Sequence, residues 1–206
     1  MMIYAIVPVK SFQMGKSRLA STMSVEDRIK LNTRLLEHTV RTLVSIKSIG
    51  QVFVVSQDSN VLKIARDLGA KDIVEKGIPH LNSALTRATT LAQKDSISGV
   101  LILPVDMPLF SEKDILPLII LGENPPVVVI SPDKYEDGTN ALLISPPGLM
   151  GYDFGPGSFE RHCCQAKQAG ARLEIVRTPS LAFDLDNPED LQLLSEENSI
   201  WLEFIH

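Results

Sequence analysis

The fold of this chain is decided by the stretch Val100-Leu101-Ile102-Leu103-Pro104-Val105-Asp106-Met107-Pro108, an apolar run of strand length that ends in an aspartate. Such a run predicts a strand buried on both faces, which is typical of parallel sheets. Similar runs lie at residues 3–9 and 52–55. Between the runs at 3–9 and 52–55, apolar residues recur at helical spacing over residues 25–46, and Ser24 is the expected N-cap of this helix.

Strand-like and helix-like segments alternate along the rest of the chain, which predicts an α/β fold. Further strands are expected at residues 73–74, 127–131, 141–145 and 173–176, and further helices at 60–68, 82–93, 111–122, 159–169 and 189–194. Residues 131–157 are rich in glycine and proline, and predict loops around one antiparallel strand. We therefore expect residues 1–206 to form one domain. We expect this domain to have a three-layer α/β/α Rossmann-like fold, with a mostly parallel mixed sheet of about seven strands and helices on both faces.

Composition and charge exclude several classes of protein. The 206 residues carry 44% hydrophobic and 22% charged side chains, an ordinary globular composition, and a net charge of −5. An acidic chain lacks the basic face that nucleic-acid binding requires, and no apolar run reaches the ~20 residues of a membrane span. No secretion signal is recognisable, which predicts a cytoplasmic protein. The apolar tail at residues 200–206 either packs on its own domain or supports a homodimer contact.

A basic loop follows the first strand. It places Lys10, Gly15, Lys16 and Arg18 within nine residues. Cations and backbone N–H groups near a helix start are suited to a phosphate chain. The loop is no P-loop, because Lys10 stands where that motif needs its first glycine. A solvated basic loop is the alternative.

Carboxylates follow two other segments. Asp106 ends the strand quoted above, and Asp184 and Asp186 alternate in a stretch that reads as extended, so that both point to one side. Their mutual repulsion is relieved by a divalent cation, for which oxygen ligands are suited. The alternatives are a turn cap for Asp106 and helix N-terminal acids for the other two.

Small polar residues and glycines lie in three further places. Thr139 and Asn140 follow a tight turn, and Gly155 and Ser158 lead into a helix whose N-terminus is a natural anion site. Asn82 and Ser83 open another helix, where Asn82 either caps the helix or contacts a nucleobase edge. Turn and cap chemistry is the alternative for all of them.

Taken in order, the segments PVK…GKSRLA, LPVDMPL, DGTNALL, GPGSFERH and FDLDNPEDL resemble those of the 2-phospho-L-lactate guanylyltransferase family, which serves coenzyme F-420 biosynthesis. The resemblance extends over residues 3–194 and implies a nucleotide-diphospho-sugar-transferase-like fold. It also implies transfer of GMP from GTP to the phosphate of 2-phospho-L-lactate, or of a close phospho-acid such as phosphoenolpyruvate, with release of pyrophosphate.

The resemblance implies a role for each of these residues. A triphosphate clamp would consist of Lys10, Gly15, Lys16 and Arg18, and base contacts would come from Asn82 and Ser83. Mg²⁺ would be held by Asp106, Asp184 and Asp186, and the phosphorylated carboxylic acid by Thr139, Asn140, Gly155 and Ser158. The residues expected to act in catalysis are Lys10, Lys16, Arg18 and Asp106.

Other functions stay open from the sequence. A molybdopterin-type or sugar-phosphate nucleotidyltransferase has a similar pattern, and a non-catalytic nucleotide-binding protein can share the fold. A sugar-nucleotide glycosyltransferase would carry Asp-x-Asp after a central strand, where this chain has only Asp106. The acceptor and the preference for guanine over adenine are also open.

Overall fold

A computed structural model describes residues 2–78 and 80–197, with side chains up to residue 194. The described strands are β1 Ile3–Pro8, β2 Ile49–Ser56, β3 Lys71–Val74, β4 Gly99–Ile102, β5 Val127–Pro132, β6 Thr139–Ser145 and β7 Arg172–Ile175. They form one seven-stranded sheet in the order β3-β2-β1-β4-β6-β5-β7. Only β6 pairs antiparallel with its neighbours in this sheet. The predicted α/β class and the single antiparallel strand are confirmed.

Helices cover both faces of the sheet. They are α1 Val25–Ser45, α2 Ser59–Asp67, α3 Leu81–Ala92, α4 Glu112–Leu121, α5 Ser158–Gln168, α6 Pro179–Ala182 and α7 Pro188–Glu197. Short 3₁₀ turns lie at Ser17–Ser21 and Gln93–Asp95. One core contains buried residues of α1, α2, α4, α6 and α7, and the other contains those of α3 and α5. The fold therefore has three layers, as predicted.

The central strands are buried on both faces because successive side chains point to opposite sides. In β1, Ile3 and Ala5 join the first core, whereas Tyr4 and Ile6 join the second. The predicted strand over residues 100–105 ends earlier, at Ile102. Leu103 still donates to Ile6 at 3.1 Å, but the next residue is a proline, which has no N–H to continue the ladder.

The topology brings distant loops to one edge of the sheet. The carboxyl ends of the parallel strands β1, β2 and β4 lie there, and the antiparallel β6 begins there. In open sheets of this kind, ligands bind beyond the carboxyl ends of the strands. No helix in the described part of the chain is both long and apolar enough to cross a membrane. The tail at 200–206 lies outside the described residues, so its packing stays a prediction.

Candidate active site at the sheet edge

The basic loop after β1 is anchored by two polar side chains. Asp58, which follows β2, accepts hydrogen bonds from Ser11 Oγ at 2.9 Å and from Phe12 N at 3.2 Å. Asn32 of α1 donates to Phe12 O at 3.0 Å. A Cβ on Gly15 would lie 2.7 Å from Asn32 Nδ2, so that a larger residue there would displace the amide that holds Phe12 O. Burial tends to raise the pKa of Asp58, but these bonds and those from α2 hold it below its ordinary value.

Lys16 is the buried cation of the loop. Its side chain is 4% exposed, and its Nζ pairs with Asp106 Oδ1 and lies 3.4 Å from Asp186 Oδ1. Burial would lower the pKa of Lys16, but the carboxylates of Asp106 and Asp186 outweigh it and raise the pKa above its ordinary value. The ammonium therefore lies between two of the predicted metal ligands.

The backbone segment 184–186, called here the carboxylate strip, is held in place by hydrogen bonds to residues on both sides of it. Leu185 is fully buried, and its N–H donates to Asp106 O at 2.9 Å. Asp186 N donates to Asp190 Oδ2 at 2.9 Å, and Lys134 Nζ binds Asp190 Oδ1 at 2.5 Å. The backbone thus holds Asp186 beside Asp106, across 80 residues of sequence.

The structure brings two of the three predicted metal-binding carboxylates, Asp106 and Asp186, together around Lys16. Among the described residues, no group of three or more His, Cys, Asp or Glu side chains is already arranged to hold a metal ion. Asp184 lies close enough to Asp186 and Lys134 to interact with the charge of each. Burial and, as the second cause, the charge of Asp186 raise the pKa of Asp184 to about 6. A metal ligand role for Asp184 stays a prediction.

A pair of carboxylates fits Mg²⁺. This ion is usually bound in proteins through one or two carboxylates together with substrate phosphates and water. The ammonium of Lys16 already lies between Asp106 and Asp186, so a cation is accommodated there. Magnesium binding itself stays a prediction.

The other two predicted cations are exposed. Arg18 has a 74% exposed side chain, and its Nη1 lies 3.4 Å from Asp186 Oδ2. Lys10 is exposed and forms no hydrogen bond or ion pair with the residues that the structure describes. Lys10 can therefore meet an anionic ligand without first breaking a contact within the described residues, whereas Arg18 would have to leave Asp186.

Two residues predicted to bind the phospho-acid acceptor lie in contact, Thr139 at the start of β6 and Ser158 at the start of α5. Ser158 Oγ lies 3.3 Å from Thr139 Oγ1, which in turn lies 3.0 Å from His162 Nδ1. All three residues are buried. Gly155 has a φ of +133°, a conformation that residues with a side chain rarely adopt. The structure thus brings Thr139, Gly155 and Ser158 together, as the sequence predicts.

The backbone donors at the predicted anion site of the α5 N-terminus are bound by Asp137 and Gly155, which favours the alternative of turn and cap chemistry; anion binding there stays a prediction. Gly157 N donates to Asp137 Oδ2 at 3.1 Å, and Phe159 N donates to Asp137 O at 3.0 Å. Ser158 N donates to Gly155 O at 3.0 Å. Binding of the acceptor by Thr139 and Ser158 stays a prediction.

Asn140 connects β6 to α6. Its Nδ2 donates to Leu181 O at 2.9 Å and to Ala182 O at 3.4 Å. Asn140 therefore supports the backbone that leads into the carboxylate strip, and its predicted contact with the substrate stays a prediction.

Asn82 does not cap α3, because His80 takes that place. His80 Nδ1 accepts a bond of 3.4 Å from Ser83 N. The Asn82 amide instead pairs with the backbone of Phe154, accepting from its N at 2.8 Å and donating to its O at 3.3 Å. Base contacts from Asn82 and Ser83 stay predictions, and the two bonds to Phe154 leave one N–H and one lone pair of the Asn82 amide for such a contact.

Four residues of the site were not predicted: Asp58, Asp137, Asp190 and His162. Each acts on another side chain or on the backbone. A signal existed for two of them. Asp58 follows the end of β2, as Asp106 follows β4. His162 is four residues after Ser158, which places both on one face of a helix.

Comparisons with known proteins show the family of this chain. A family profile described as "Guanylyl transferase CofC like" matches residues 3–198. A phosphoenolpyruvate guanylyltransferase of Rubrobacter xylanophilus is 38% identical over 97% of this chain and 97% of its own length. One of Sphaerobacter thermophilus is 34% identical over 93% of this chain and 91% of its own.

Solved structures show the same fold. A candidate nucleotide-diphospho-sugar transferase from Desulfovibrio desulfuricans superposes with a TM-score of 0.77 at 15% identity, over 95% of this chain and 87% of its own. A nucleotidyl transferase from Methanothermobacter superposes with a TM-score of 0.66 at 16% identity, over 98% of both chains. The profile and the relatives confirm the resemblance seen in the sequence, and the chain belongs to the CofC-like guanylyl transferase family and is a nucleotidyltransferase.

Proposed function

We propose that this chain transfers GMP from GTP to the phosphate of phosphoenolpyruvate or of a close phospho-acid such as 2-phospho-L-lactate, and releases pyrophosphate. The relatives' names support a phosphoenolpyruvate-type acceptor. The carrying observation is that one sheet edge holds both the Lys16–Asp106–Asp186 cluster and the Thr139–Ser158 hydroxyl pair. The first suits a metal-bound triphosphate, and the second suits a small anion.

The reaction joins two anions. An oxygen of the acceptor phosphate attacks the α-phosphorus of GTP, and the bond from that phosphorus to the β-phosphate oxygen breaks. The acceptor phosphate is already ionised near neutral pH, because its second pKa is about 6. No general base is needed, so catalysis rests on positioning and on charge neutralisation.

Each residue of the site is assigned a role in this reaction. Asp106 and Asp186 would hold Mg²⁺, which when bound supplies positive charge to the phosphates. Lys10 and Arg18 are exposed in the same loop, and we assign them to the triphosphate. Lys16 neutralises Asp106 and Asp186 when no metal is present. Thr139 and Ser158 would hold the acceptor.

Four attributes remain part of the proposal. A role in coenzyme F-420 biosynthesis is implied by the resemblance of the sequence to its family, and a cytoplasmic location is part of the same proposal. A homodimer through the tail at 200–206 stays a prediction. The preference for guanine over adenine is also part of the proposal.

The test measures pyrophosphate release with GTP and ATP in parallel. The acceptors are phosphoenolpyruvate, 2-phospho-L-lactate and 3-phosphoglycerate, with and without Mg²⁺. We expect release with GTP and one of the first two acceptors. A non-catalytic binder would release none, and a glycosyltransferase would need a preformed sugar nucleotide.

The variant Asp106→Asn provides a second test of the proposed function, and Asp67→Asn on α2 is its control. Asn keeps the shape of Asp106, so a loss of activity reports the charge. We expect a loss of roughly a hundredfold or more, the scale seen when one group that stabilises developing charge is removed. Undiminished activity of Asp106→Asn at limiting Mg²⁺ would refute the metal assignment.

A further inference from the structure

The imidazole of His162 is fully buried next to the hydroxyls of Thr139 and Ser158, which the proposed function assigns to the phospho-acid acceptor. Its Nδ1 lies 3.0 Å from Thr139 Oγ1, and its Nε2 lies 3.0 Å from the backbone N of Asp153. Burial lowers the pKa of His162 to about 4. The ring is therefore neutral at pH 7 and carries a single N–H.

The backbone decides which nitrogen carries this proton. The N–H of Asp153 can only donate, so Nε2 must accept and be unprotonated. The proton is then on Nδ1 and points at Thr139 Oγ1. Arg161 holds Asp153 in place, because its Nε binds Asp153 Oδ2 at 2.7 Å and its Nη2 binds Asp153 O at 2.9 Å. The tautomer is thus set before any ligand binds.

This tautomer leaves one hydroxyl proton free. His162, Thr139 and Ser158 share two contacts, and each contact uses one hydrogen. Nδ1–H serves the first contact and one hydroxyl serves the second, so the other hydroxyl hydrogen must point out of the cluster. With the opposite tautomer, Thr139 would donate to Nδ1 and Ser158 to Thr139, and both hydroxyl hydrogens would be used internally.

We infer that His162 is a positioning residue that orients the Thr139–Ser158 hydroxyls so that one of them donates to the anionic acceptor. Phosphate and carboxylate oxygens only accept at neutral pH, so an outward donor is what such a ligand requires. This inference rests on the proposed function, because it takes the hydroxyl pair as the acceptor site.

Two variants separate this role from simple packing. Asn at 162 places an N–H near the position of Nδ1 and keeps the donor to Thr139. Gln places its oxygen near the position of Nε2 and keeps only the acceptor for Asp153. We expect His162→Gln to raise the KM for the acceptor roughly tenfold or more, the scale of a lost hydrogen bond to a charged group. We expect His162→Asn to stay near wild type, and the KM for GTP to change in neither variant.

Equal increases in acceptor KM for both variants, or parallel increases for GTP, would overturn the inference. The wild-type protein provides a readout that needs no variant and no turnover. Its ¹⁵N NMR spectrum at pH 7 should show Nδ1 of His162 protonated and Nε2 not, and the reverse would overturn the inference whatever the kinetics. If wild type shows this tautomer yet transfers GMP to no acceptor, it is the proposed function that fails.

Discussion

Asp184→Asn is expected to stabilise the metal-free protein at neutral pH. Burial and the charge of Asp186 raise the pKa of Asp184 from 3.8 to about 6. Between these values the folded state keeps a proton that the unfolded state has released, so the free energy of unfolding falls as the pH rises. Asn has nearly the same shape and no charge, and it removes this cost.

The magnitude follows from the size of the pKa change. Each unit corresponds to about 1.36 kcal/mol, so a carboxyl raised from 3.8 to about 6 costs about 3 kcal/mol once both states are ionised near pH 7. At about pH 4 the carboxyl is mostly protonated when folded, and the cost nearly vanishes. The gain from Asp184→Asn should therefore grow steadily across this range.

Urea unfolding in EDTA, followed by circular dichroism from about pH 4 to about pH 7, measures this gain. The matched control is Asp190→Asn, which should behave in the opposite way. Burial tends to raise the pKa of Asp190, but Lys134 and the N–H of Asp186 lower it, so this carboxylate stabilises the fold at neutral pH. That contribution is lost as the pH falls through the folded pKa. An Asp184→Asn gain that is absent at pH 7, or equal at pH 4 and pH 7, would refute the reasoning.

Three further predictions concern the loop and the buried histidine. Lys16→Met should bind Mn²⁺ more tightly than wild type in a calorimetric titration, because no ammonium remains between Asp106 and Asp186. Lys10→Met should leave the Mn²⁺ affinity unchanged, and equal affinities of the two variants would contradict this. Asp58→Ala should raise the KM for GTP and cost about 1–2 kcal/mol in unfolding, as for a lost helix cap that also anchors a loop. Relative to His162→Asn, the wild-type protein should lose up to about 3 kcal/mol in free energy of unfolding as the pH falls from about 6.5 to about 4. The reason is that the folded state resists a protonation that the unfolded state accepts. If urea unfolding gives both proteins the same change in this free energy with pH, the prediction is contradicted.

The fold was predictable because its signals are local. Continuous apolar runs identified the buried strands, and glycine-rich loops located the antiparallel β6. Errors arose where one backbone group decided the outcome. Pro104 ends β4 early because it cannot donate, and the short helix α6 has too few residues to show a period.

The candidate site was predictable where its residues follow strand ends. Asp106 and Lys16 lie there, and parallel strands bring such residues together whatever their separation in sequence. The pairing of Lys16 with both carboxylates was not predictable. It depends on Leu185 binding the backbone of Asp106, a contact that no sequence pattern encodes.

The α5 N-terminus shows why such contacts decide chemistry. Glycines before a helix predict free N–H groups and hence an anion site. In this chain Asp137, twenty residues before Gly157, supplies the anion from within. Under the proposed function, the ligand contacts would then come from the hydroxyls of Thr139 and Ser158, which His162 is inferred to orient. A backbone nest can take any small anion, whereas a hydroxyl pair with one outward donor favours a ligand that accepts at that position. On that proposal, the internal carboxylate of Asp137 would make the site more selective than its glycines suggest.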